Sequence, residues 1–244
     1  PIPVKYDAAA ECPRFLGELL GPALEAEDIE LLQLVAGQLV LGQNLLQKIV
    51  LVRGTPGGGK STLVQVLQQI VGAHNVVTMR SEMLCERFEL QAWIGRTWAV
   101  GADVPARFLQ ERGVEKLKSL TGGDTLHAEL KQGGFIPIRG TYNVWATSNS
   151  RLVLKMEDDA GAWARRLVLI DFERPPVEKK IPGFSEQLVN AEASGILNWM
   201  IAGAARVLAL AAEQRGVEFT PRQQAKIDGL LGESQSLELF LRYG

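Results

Sequence analysis

The stretch GTPGGGKST, residues 54–62, decides the fold. It matches the pattern G-x-x-x-x-G-K-[ST] at every fixed position, with the apolar run QKIVLVRG before it and the amphipathic run KSTLVQVLQQIVG after it. Glycines let backbone N–H groups approach phosphate oxygens closely, and a helix that follows points its positive end at the same anion. The stretch therefore predicts a site for ATP and Mg²⁺ that is formed by Gly54, Thr55, Pro56, Gly57, Gly58, Gly59, Lys60, Ser61 and Thr62.

Two side chains of this loop have predicted roles in binding. The ammonium group of Lys60 is expected to contact the β- and γ-phosphates, and the hydroxyl group of Ser61 is expected to bind Mg²⁺. A glycine turn without function would not need a strand before it and a helix after it. We therefore interpret the loop as the phosphate-binding loop of an ATPase.

Strand and helix patterns alternate on both sides of the loop. Between residues 47 and 175, the runs NVVTMR, TWAVGA, YNVWATS and RLVLIDF are strand candidates, and the segments between them are long enough for crossovers. This alternation predicts an α/β fold whose core has a mainly parallel sheet flanked by helices on both faces. Residues 1–46 and 176–244 show helical spacing instead, which predicts a helical lead-in and a helical tail.

Polar residues beside the predicted strands are candidates for catalysis. Asp103 follows TWAVGA, where an acid can hold a Mg²⁺-bound water or polarise the attacking water, and Asn149 follows YNVWATS, where an amide can orient that water. Arg165 and Arg166 stand at the start of RLVLIDF. An arginine supplied there by a neighbouring subunit would stabilise the charge on a transferring phosphoryl group. Turn residues and surface arginines in ordinary ion pairs are the alternative, and Arg166 has only a slight preference over Arg165.

A short hairpin is predicted between Asp103 and Asn149. TLHAELK and FIPIRG can pair around Gly133 and Gly134, which places Lys131 near the tip. A basic tip that projects from a ring of ATPase subunits can contact a nucleic-acid backbone. Residues 106–140 carry a small excess of basic over acidic side chains, so a solvated hairpin without this function is an equal alternative.

The bulk composition limits the class of protein. The formal charge is −2, from 26 basic and 28 acidic residues, which argues against a protein that coats nucleic acid with a broad basic surface. Cys12 and Cys85 are the only cysteines, so neither a disulfide framework nor a cysteine zinc site is expected, and a reducing cytoplasm is the default location. His74 and His127 are too sparse for a metal site. The tryptophans are expected in the core; they are Trp93, Trp98, Trp145, Trp163 and Trp199.

No membrane-spanning segment is expected. The most apolar part of the tail, residues 196–212, is short and is interrupted by Asn198 and Arg206. The chain also begins with Pro1 rather than Met, which suggests a piece of a longer protein.

Taken together, these elements resemble the superfamily 3 helicases, specifically the C-terminal helicase domain of phage and plasmid primases related to poxvirus primase-helicases. GTPGGGKST is similar to motif A, WAVGADVP to motif B, LKSLTGGD with the ELKQGGF hairpin to motif B-prime, and WATSN to motif C. CPRFLGELLG resembles the helical lead-in, WARRLVLIDF the arginine-finger segment and GILNWMIAG the helical tail. The chain departs from the family in the single acid of motif B and in the modest basicity of the hairpin.

The resemblance implies an AAA+ core, a hexameric ring with nucleotide at the subunit interfaces, and 3′-to-5′ movement along single-stranded DNA. Asp103 would then serve Mg²⁺, Asn149 would be the polar sensor, and Arg165 or Arg166 would act on the neighbouring subunit. The implied DNA-binding residues are Lys118, His127 and Lys131. A primase domain is expected on the missing N-terminal part of a longer chain, in the cytoplasm of a bacterial host.

Three other functions stay open on the sequence. An AAA+ ATPase that remodels protein partners would not be stimulated by DNA. A small-molecule kinase would use the same loop as a monomer, with a lid and an acceptor pocket. A ring subunit that binds nucleotide and hydrolyses it slowly would serve as a scaffold, and the single acid at Asp103 is compatible with that role.

Overall fold

A five-stranded sheet forms the centre of the molecule in the computed structural model, which describes residues 1–108, 113, 115–150, 152, 160–173 and 181–243. The strands, in chain order, are β1 (Ile49–Gly54), β2 (Val76–Thr78), β3 (Trp98–Gly101), β4 (Thr125–Glu129), β5 (Phe135–Arg139), β6 (Asn143–Ser148) and β7 (Leu167–Phe172). The central sheet has the order β2-β3-β6-β1-β7, and all of its pairs are parallel. β4 and β5 form a separate antiparallel hairpin.

Helices precede, connect and follow these strands. They are α1 (Ala26–Leu41), α2 (Lys60–Val71), α3 (Glu115–Gly122), α4 (Ala160–Arg166), α5 (Phe184–Ala212) and α6 (Pro221–Tyr243). A π-helical turn covers Phe15–Leu20, and 3-10 turns cover Ala73–Asn75, Ser81–Met83 and Glu89–Trp93. The predicted boundary between core and tail, at residues 175 and 176, lies outside the described residues.

Apolar side chains from both faces of the sheet build two cores. Val50, Val52 and Ile170 point to a core shared with α1, α2 and α5, whereas Ile49 and Leu51 point to a core shared with α3, α4, α6 and the hairpin. Because successive residues of a strand face opposite sides, a sheet covered on both faces needs continuous apolar strands. The predicted α/β fold, with helices on both faces and helical segments before and after the sheet, is confirmed.

The tryptophans lie in these cores, as expected. Trp93, Trp98, Trp145 and Trp163 are fully buried. Trp199 is half-buried and packs edge to face against Phe15, with ring centroids 5.3 Å apart. The aromatic rings therefore stabilise the packing of the layers rather than present a surface.

The first twelve residues are not helical, which corrects the prediction for residues 1–46. This segment lies along α5 instead, where the Ser194 hydroxyl donates to the Lys5 carbonyl at 2.7 Å and the Asn198 amide donates to the carbonyls of Asp7 (2.7 Å) and Ala10 (2.9 Å). These side chains satisfy backbone acceptors that would otherwise need a helix. The glutamate at position 192 then accepts the N–H groups of residues 14 and 15, both at 2.8 Å, where the π-helical turn begins.

The apolar face of α1 packs against α5. The two helices touch through glycines: a Cβ at Gly37 would stand 2.2 Å from the backbone nitrogen of Ala204, and one at Gly203 would stand 2.0 Å from the carbonyl oxygen of Gln33. Backbone contact at this range is possible only without side chains. The lead-in and the tail therefore pack on each other as well as on the sheet.

By length and composition, α5 could cross a membrane, contrary to the sequence expectation. The helix begins at Phe184, twelve residues before the segment considered in the sequence, and its most apolar window has a mean hydropathy of 1.5. Its buried residues include Leu188, Ile196 and Met200, and these belong to the core formed with α1 and α2. The opposite side of the helix is exposed, as at Leu208, so α5 is buried along one face only.

Candidate nucleotide site

The phosphate loop joins the end of β1 to the start of α2. β1 ends at Gly54 and α2 begins at Lys60. Gly57 and Gly59 have φ angles of 82° and 99°, which glycine adopts without strain. Gly54 also lies against β7, where a Cβ would stand 2.4 Å from the carbonyl oxygen of Phe172. The glycines of the motif therefore allow both the turn and the close packing of the loop on the neighbouring strand.

The ammonium group of Lys60 lies inside the loop. It donates to the carbonyl oxygens of Gly54 (2.7 Å) and Thr55 (2.8 Å) and to the side-chain oxygen of Asn149 (2.8 Å). Burial lowers the pKa of Lys60, and the negative charge of Asp103 opposes that shift. These three uncharged acceptors use all three N–H donors of the ammonium group, and an anionic phosphate that replaces one of them would form a stronger hydrogen bond.

Asn149 and Asp103 continue the chain of hydrogen bonds. The Asn149 amide donates to the Asp103 carboxylate at 2.7 Å, and the N–H of Asp103 donates to the hydroxyl of Thr147 at 2.9 Å. β3, β6 and β1 are neighbours in the parallel sheet, so their carboxyl ends meet at one edge. The structure thus brings together Lys60, Asn149 and Asp103, three of the residues that the sequence indicates for catalysis.

A magnesium ion would fit the same edge. Ser61 lies in the first turn of α2, directly after Lys60. Within the described residues, no group of three or more His, Cys, Asp or Glu side chains could hold a metal ion by themselves. Mg²⁺ in phosphoryl-transfer sites is bound by one or two carboxylates together with substrate phosphates. One carboxylate, at Asp103, and one hydroxyl, at Ser61, fit that donor set.

A cavity of about 400 Å³ opens beside the loop. Residues 56–62 and Asn149 form its polar side. Its other side is mostly apolar and comes from the π-helical turn, the residues after it, and the start of α5; it is lined by Leu19, Pro22, Ala23, Ile181 and Phe184, with Glu18 beside them. An apolar cavity next to a phosphate loop can take the base and sugar of a nucleotide. The sequence did not indicate these residues, because they belong to segments more than 150 positions apart and carry no motif.

Arg165 and Arg166 lie far from the loop of their own chain. They end α4 and directly precede β7, whose first residue, Leu167, pairs with Ile49 at the start of β1. The loop follows the other end of β1, and five residues of a strand span about 16 Å. The Arg165 side chain is exposed, whereas Arg166 is half-buried and donates to the carbonyl oxygen of Ala162 at 3.2 Å. The arginines therefore stand at the opposite edge of the sheet from Lys60.

Lys48 accompanies the arginines, although the sequence did not indicate it. Its ammonium group donates to the carbonyl oxygen of Arg165 at 2.5 Å and lies 5.3 Å from the ring centroid of Phe219. Burial, together with the positive charge of Arg166, lowers the pKa of Lys48 to about 8. Three basic side chains are thus gathered at this edge.

The predicted hairpin is confirmed as an element, with Gly133 and Gly134 in the turn. Both glycines have positive φ angles, and the exposed Lys131 lies at the tip, where its N–H donates to the side-chain oxygen of Gln91 at 3.1 Å. His127 is exposed on β4. Lys118 lies elsewhere, on α3, where it forms an ion pair with Glu115 at 2.8 Å and stands 4.9 Å from the ring centroid of Trp163. The three residues indicated for DNA binding are therefore not on one surface element.

Comparisons with known proteins give a likeness in fold. Residues 52–166 match a family that is described as a family of unknown function (DUF5906). The chain shows no match to any curated protein.

Solved structures resemble most of the chain at low identity. The A form apo structure of the NrS-1 C-terminal region is 16% identical, with a TM-score of 0.65 over 93% of this chain and 53% of that one. A second apo structure of the same region is 17% identical, with a TM-score of 0.60 over 87% of this chain and 54% of that one. A structure of the JCV helicase is 18% identical over 86% of this chain and 61% of that one, but its TM-score of 0.39 is too low for any inference.

The chain spans about half the length of the NrS-1 structures that it matches. TM-scores of 0.65 and 0.60 over most of the chain establish a common fold, whereas identities of 16% and 17% establish nothing about chemistry. The chain thus shares the α/β fold of the NrS-1 C-terminal region.

Proposed function

We propose that this chain is the motor domain of a DNA helicase that hydrolyses ATP and moves along single-stranded DNA. The observation that carries this proposal is the hydrogen-bonded chain from Lys60 through Asn149 to Asp103, at the mouth of the parallel sheet and beside a cavity of nucleotide size. The order of the motifs in the sequence and the fold shared with the NrS-1 C-terminal region support it.

The side chains at the carboxyl ends of the strands would each have a separate role in phosphoryl transfer. The N–H groups of the loop and the Lys60 ammonium bind the phosphates, while the Asn149 amide, on the neighbouring strand end, orients the attacking water. Asp103 accepts a hydrogen bond from Asn149 and so fixes the rotamer of that amide. Mg²⁺, held by Asp103 and Ser61, would neutralise charge on the phosphate oxygens.

Hydrolysis in this proposal depends on assembly. Arg165 and Arg166 stand about the length of a strand away from Lys60 of the same chain, so they would serve the nucleotide of a neighbouring subunit. A closed ring, as in a hexamer, places the arginine edge of every subunit against the loop edge of the next. The ring would surround single-stranded DNA, and a primase domain on the same longer chain would make it part of a replication protein of a phage or mobile element in a bacterial cell.

The first experiment measures ATP hydrolysis with and without single-stranded DNA, together with the mass of the protein in solution. We expect an oligomer whose turnover is stimulated by DNA and is lost in Lys60→Ala. Wild-type protein that fails to bind ATP would contradict the proposal entirely. ATP hydrolysis that DNA does not stimulate would favour an ATPase that remodels proteins. Nucleotide binding with very slow turnover would favour a scaffold subunit, and the single acid at Asp103 is compatible with that role.

A further inference from the structure

The hairpin of β4 and β5 has one buried and one outward face. On the inner face Ala128 and Ile138 are buried against the core, whereas Ile136, which stands opposite Ala128, is 37% exposed. The alternate positions face outward and are exposed or half-buried; they are Thr125, His127, Glu129, Phe135, Pro137 and Arg139. Phe135 is 64% exposed, an unusual state for a side chain of this size. Nothing in the packing of the hairpin requires an aromatic ring at this position.

The charges around Phe135 are mainly basic. Lys131 lies at the tip and Arg139 at the far end of the outward face, and both are exposed. Glu129, directly across from Phe135, has both carboxylate oxygens in contact with the Arg87 guanidinium group, at 2.5 and 2.8 Å. That pairing neutralises the one acidic side chain of the outward face, although the exposed Asp124 lies at its base. The surface around the ring therefore suits a polyanion.

We propose that Phe135, on the outward face of this hairpin, stacks on a base of single-stranded DNA. An exposed aromatic ring between basic side chains is the combination with which proteins hold single strands, because every base offers a π-face and every nucleotide a phosphate. His127 is the diagonal neighbour of Phe135 across the strands, about 7–8 Å away, and offers a second ring. Lys131 and Arg139 bind phosphates on either side.

This inference rests on the proposed function and extends it from the phosphate backbone to the bases. A contact with another subunit is the main alternative for an exposed phenylalanine. Protein interfaces need a continuous apolar patch at their centre, whereas Phe135 has charged residues at the tip and the far end of its face. The charge pattern therefore favours DNA.

The experiment compares two fluorescent oligonucleotides of equal length, oligo-dT and an abasic strand that has phosphates but no bases. Anisotropy titrations at one fixed salt concentration give the Kd values. We expect Phe135→Ala to weaken binding of oligo-dT by about tenfold and to leave binding of the abasic strand unchanged. Lys131→Ala should weaken both by the same factor, because phosphate contacts do not depend on bases.

Two further variants complete the test. Tyr6 is 62% exposed near the N-terminus, so Tyr6→Ala removes a comparable ring elsewhere and should bind both strands like wild type. Phe135→Trp should retain binding, and its added fluorescence should be quenched by oligo-dT but not by the abasic strand.

Several outcomes would overturn the inference. Base stacking is wrong if Phe135→Ala weakens the binding of both strands equally. It is also wrong if wild type binds single-stranded DNA and Phe135→Ala weakens the binding of neither strand. In both cases the proposed helicase function stands. If Phe135→Ala reduces the mass of the assembly, the ring serves a subunit contact instead. If wild type binds ATP but no single-stranded DNA, the proposed movement on DNA fails together with this inference.

Discussion

At the scale of single residues, Asn149 joins the groups that would act on the nucleotide. Its oxygen accepts from Lys60 and its amide nitrogen donates to Asp103. An amide is suited to this position because it is a donor and an acceptor at once, and an ionised carboxylate could not replace it. The residue therefore links phosphate binding to the acid beside the expected metal ion.

Replacing Asn149 by alanine is expected to lower kcat for ATP by about a hundredfold, because a positioned polar group at the reacting centre is lost. ATP binding should persist, since the N–H groups of the loop and Lys60 remain. Steady-state hydrolysis and titration with a fluorescent ATP analogue measure the two effects. Asn190→Ala, at an exposed position of α5, is the matched control and should behave as wild type. Normal kcat in Asn149→Ala would remove this residue from the mechanism.

The sequence predicted the polar residues of this site and missed the apolar ones, for a physical reason. Lys60, Asn149 and Asp103 follow strands of one parallel sheet, so the topology alone brings them together. Leu19 and Phe184 line the same cavity but meet through the packing of the π-helical turn near the start of α5. Contacts between segments so distant in sequence have no local pattern. The apolar side of the cavity therefore could not be found before the fold was known.

At the scale of elements, α6 is attached to α1 by a buried carboxylate. Asp28 is 1% exposed and accepts from Arg222 (2.5 Å) and from the amide of Gln223 (3.1 Å), and the ammonium group of Lys226 lies 3.6 Å away. Arg222 also contacts Glu27. A buried charge with several partners stabilises only while all of them are present, because each is desolvated.

We expect Asp28→Ala to lower the free energy of unfolding by about 2 kcal/mol, since Arg222 and Gln223 lose a buried acceptor, although Arg222 keeps Glu27. Urea unfolding measures the change. Glu213→Ala is a suitable control, because Glu213 pairs with Arg215 at 2.7 Å in an exposed position, where ion pairs contribute little. Equal effects of the two variants would mean that Asp28 does not hold α6 in place.

The start of β1 is attached to the end of α4 by Lys48, and this contact predicts a dependence on pH. The pKa of Lys48 is lowered from 10.5 to about 8 in the folded chain. Between these pH values the unfolded chain binds a proton that the folded chain does not bind, so the free energy of unfolding rises with pH. The contribution is complete above the unfolded pKa and is lost as the pH falls through the folded pKa.

The free energy of unfolding rises by at most about 3 kcal/mol, because each unit of pKa shift corresponds to about 1.36 kcal/mol. Lys48→Met should remove this rise, so the free energy of unfolding of wild type minus that of the variant should increase by up to about 3 kcal/mol between pH 8 and pH 10.5. Urea unfolding at several pH values measures this difference. Because other groups titrate in both proteins, their contributions to stability cancel when the variant is compared with wild type. A difference that is constant with pH would show that Lys48 titrates normally.

Helices and strands were more predictable than the paths between them. The five sheet strands each have an apolar run, and the hairpin has its glycine turn, so short-range pattern was sufficient. The first twelve residues were wrongly expected to be helical, because their conformation depends on Ser194 and Asn198 of α5. Tertiary hydrogen bonds decide such cases, and they leave no local trace.

At the scale of the whole molecule, the sheet separates two functional edges. Lys60 and Asn149 lie at the carboxyl ends of the strands, and Lys48, Arg165 and Arg166 lie at the opposite ends. A single chain thus carries both halves of the proposed catalytic site but cannot bring them together. A head-to-tail assembly can, because each contact then joins the loop edge of one subunit to the arginine edge of the next.

Mixing two inactive variants tests this arrangement directly. Lys60→Ala retains the arginines but loses the loop, and Arg165→Ala/Arg166→Ala retains the loop but loses the arginines. Each variant alone should hydrolyse almost no ATP. In a mixture of equal amounts, half of the subunits have an intact loop and half of their neighbours have intact arginines, so about a quarter of wild-type activity should return.

The recovery requires that subunits exchange, so the variants are mixed before assembly and the hydrolysis rate is followed as a function of their ratio. It should be highest at equal amounts and fall symmetrically on either side, because every active contact needs one subunit of each kind. In the control, Lys60→Ala is mixed with a chain that carries all three substitutions, and no loop is intact, so no activity should return. If the first mixture stays inactive although mass measurements show mixed assemblies, the arginines do not act across the interface, and the ring-dependent part of the proposed mechanism is wrong.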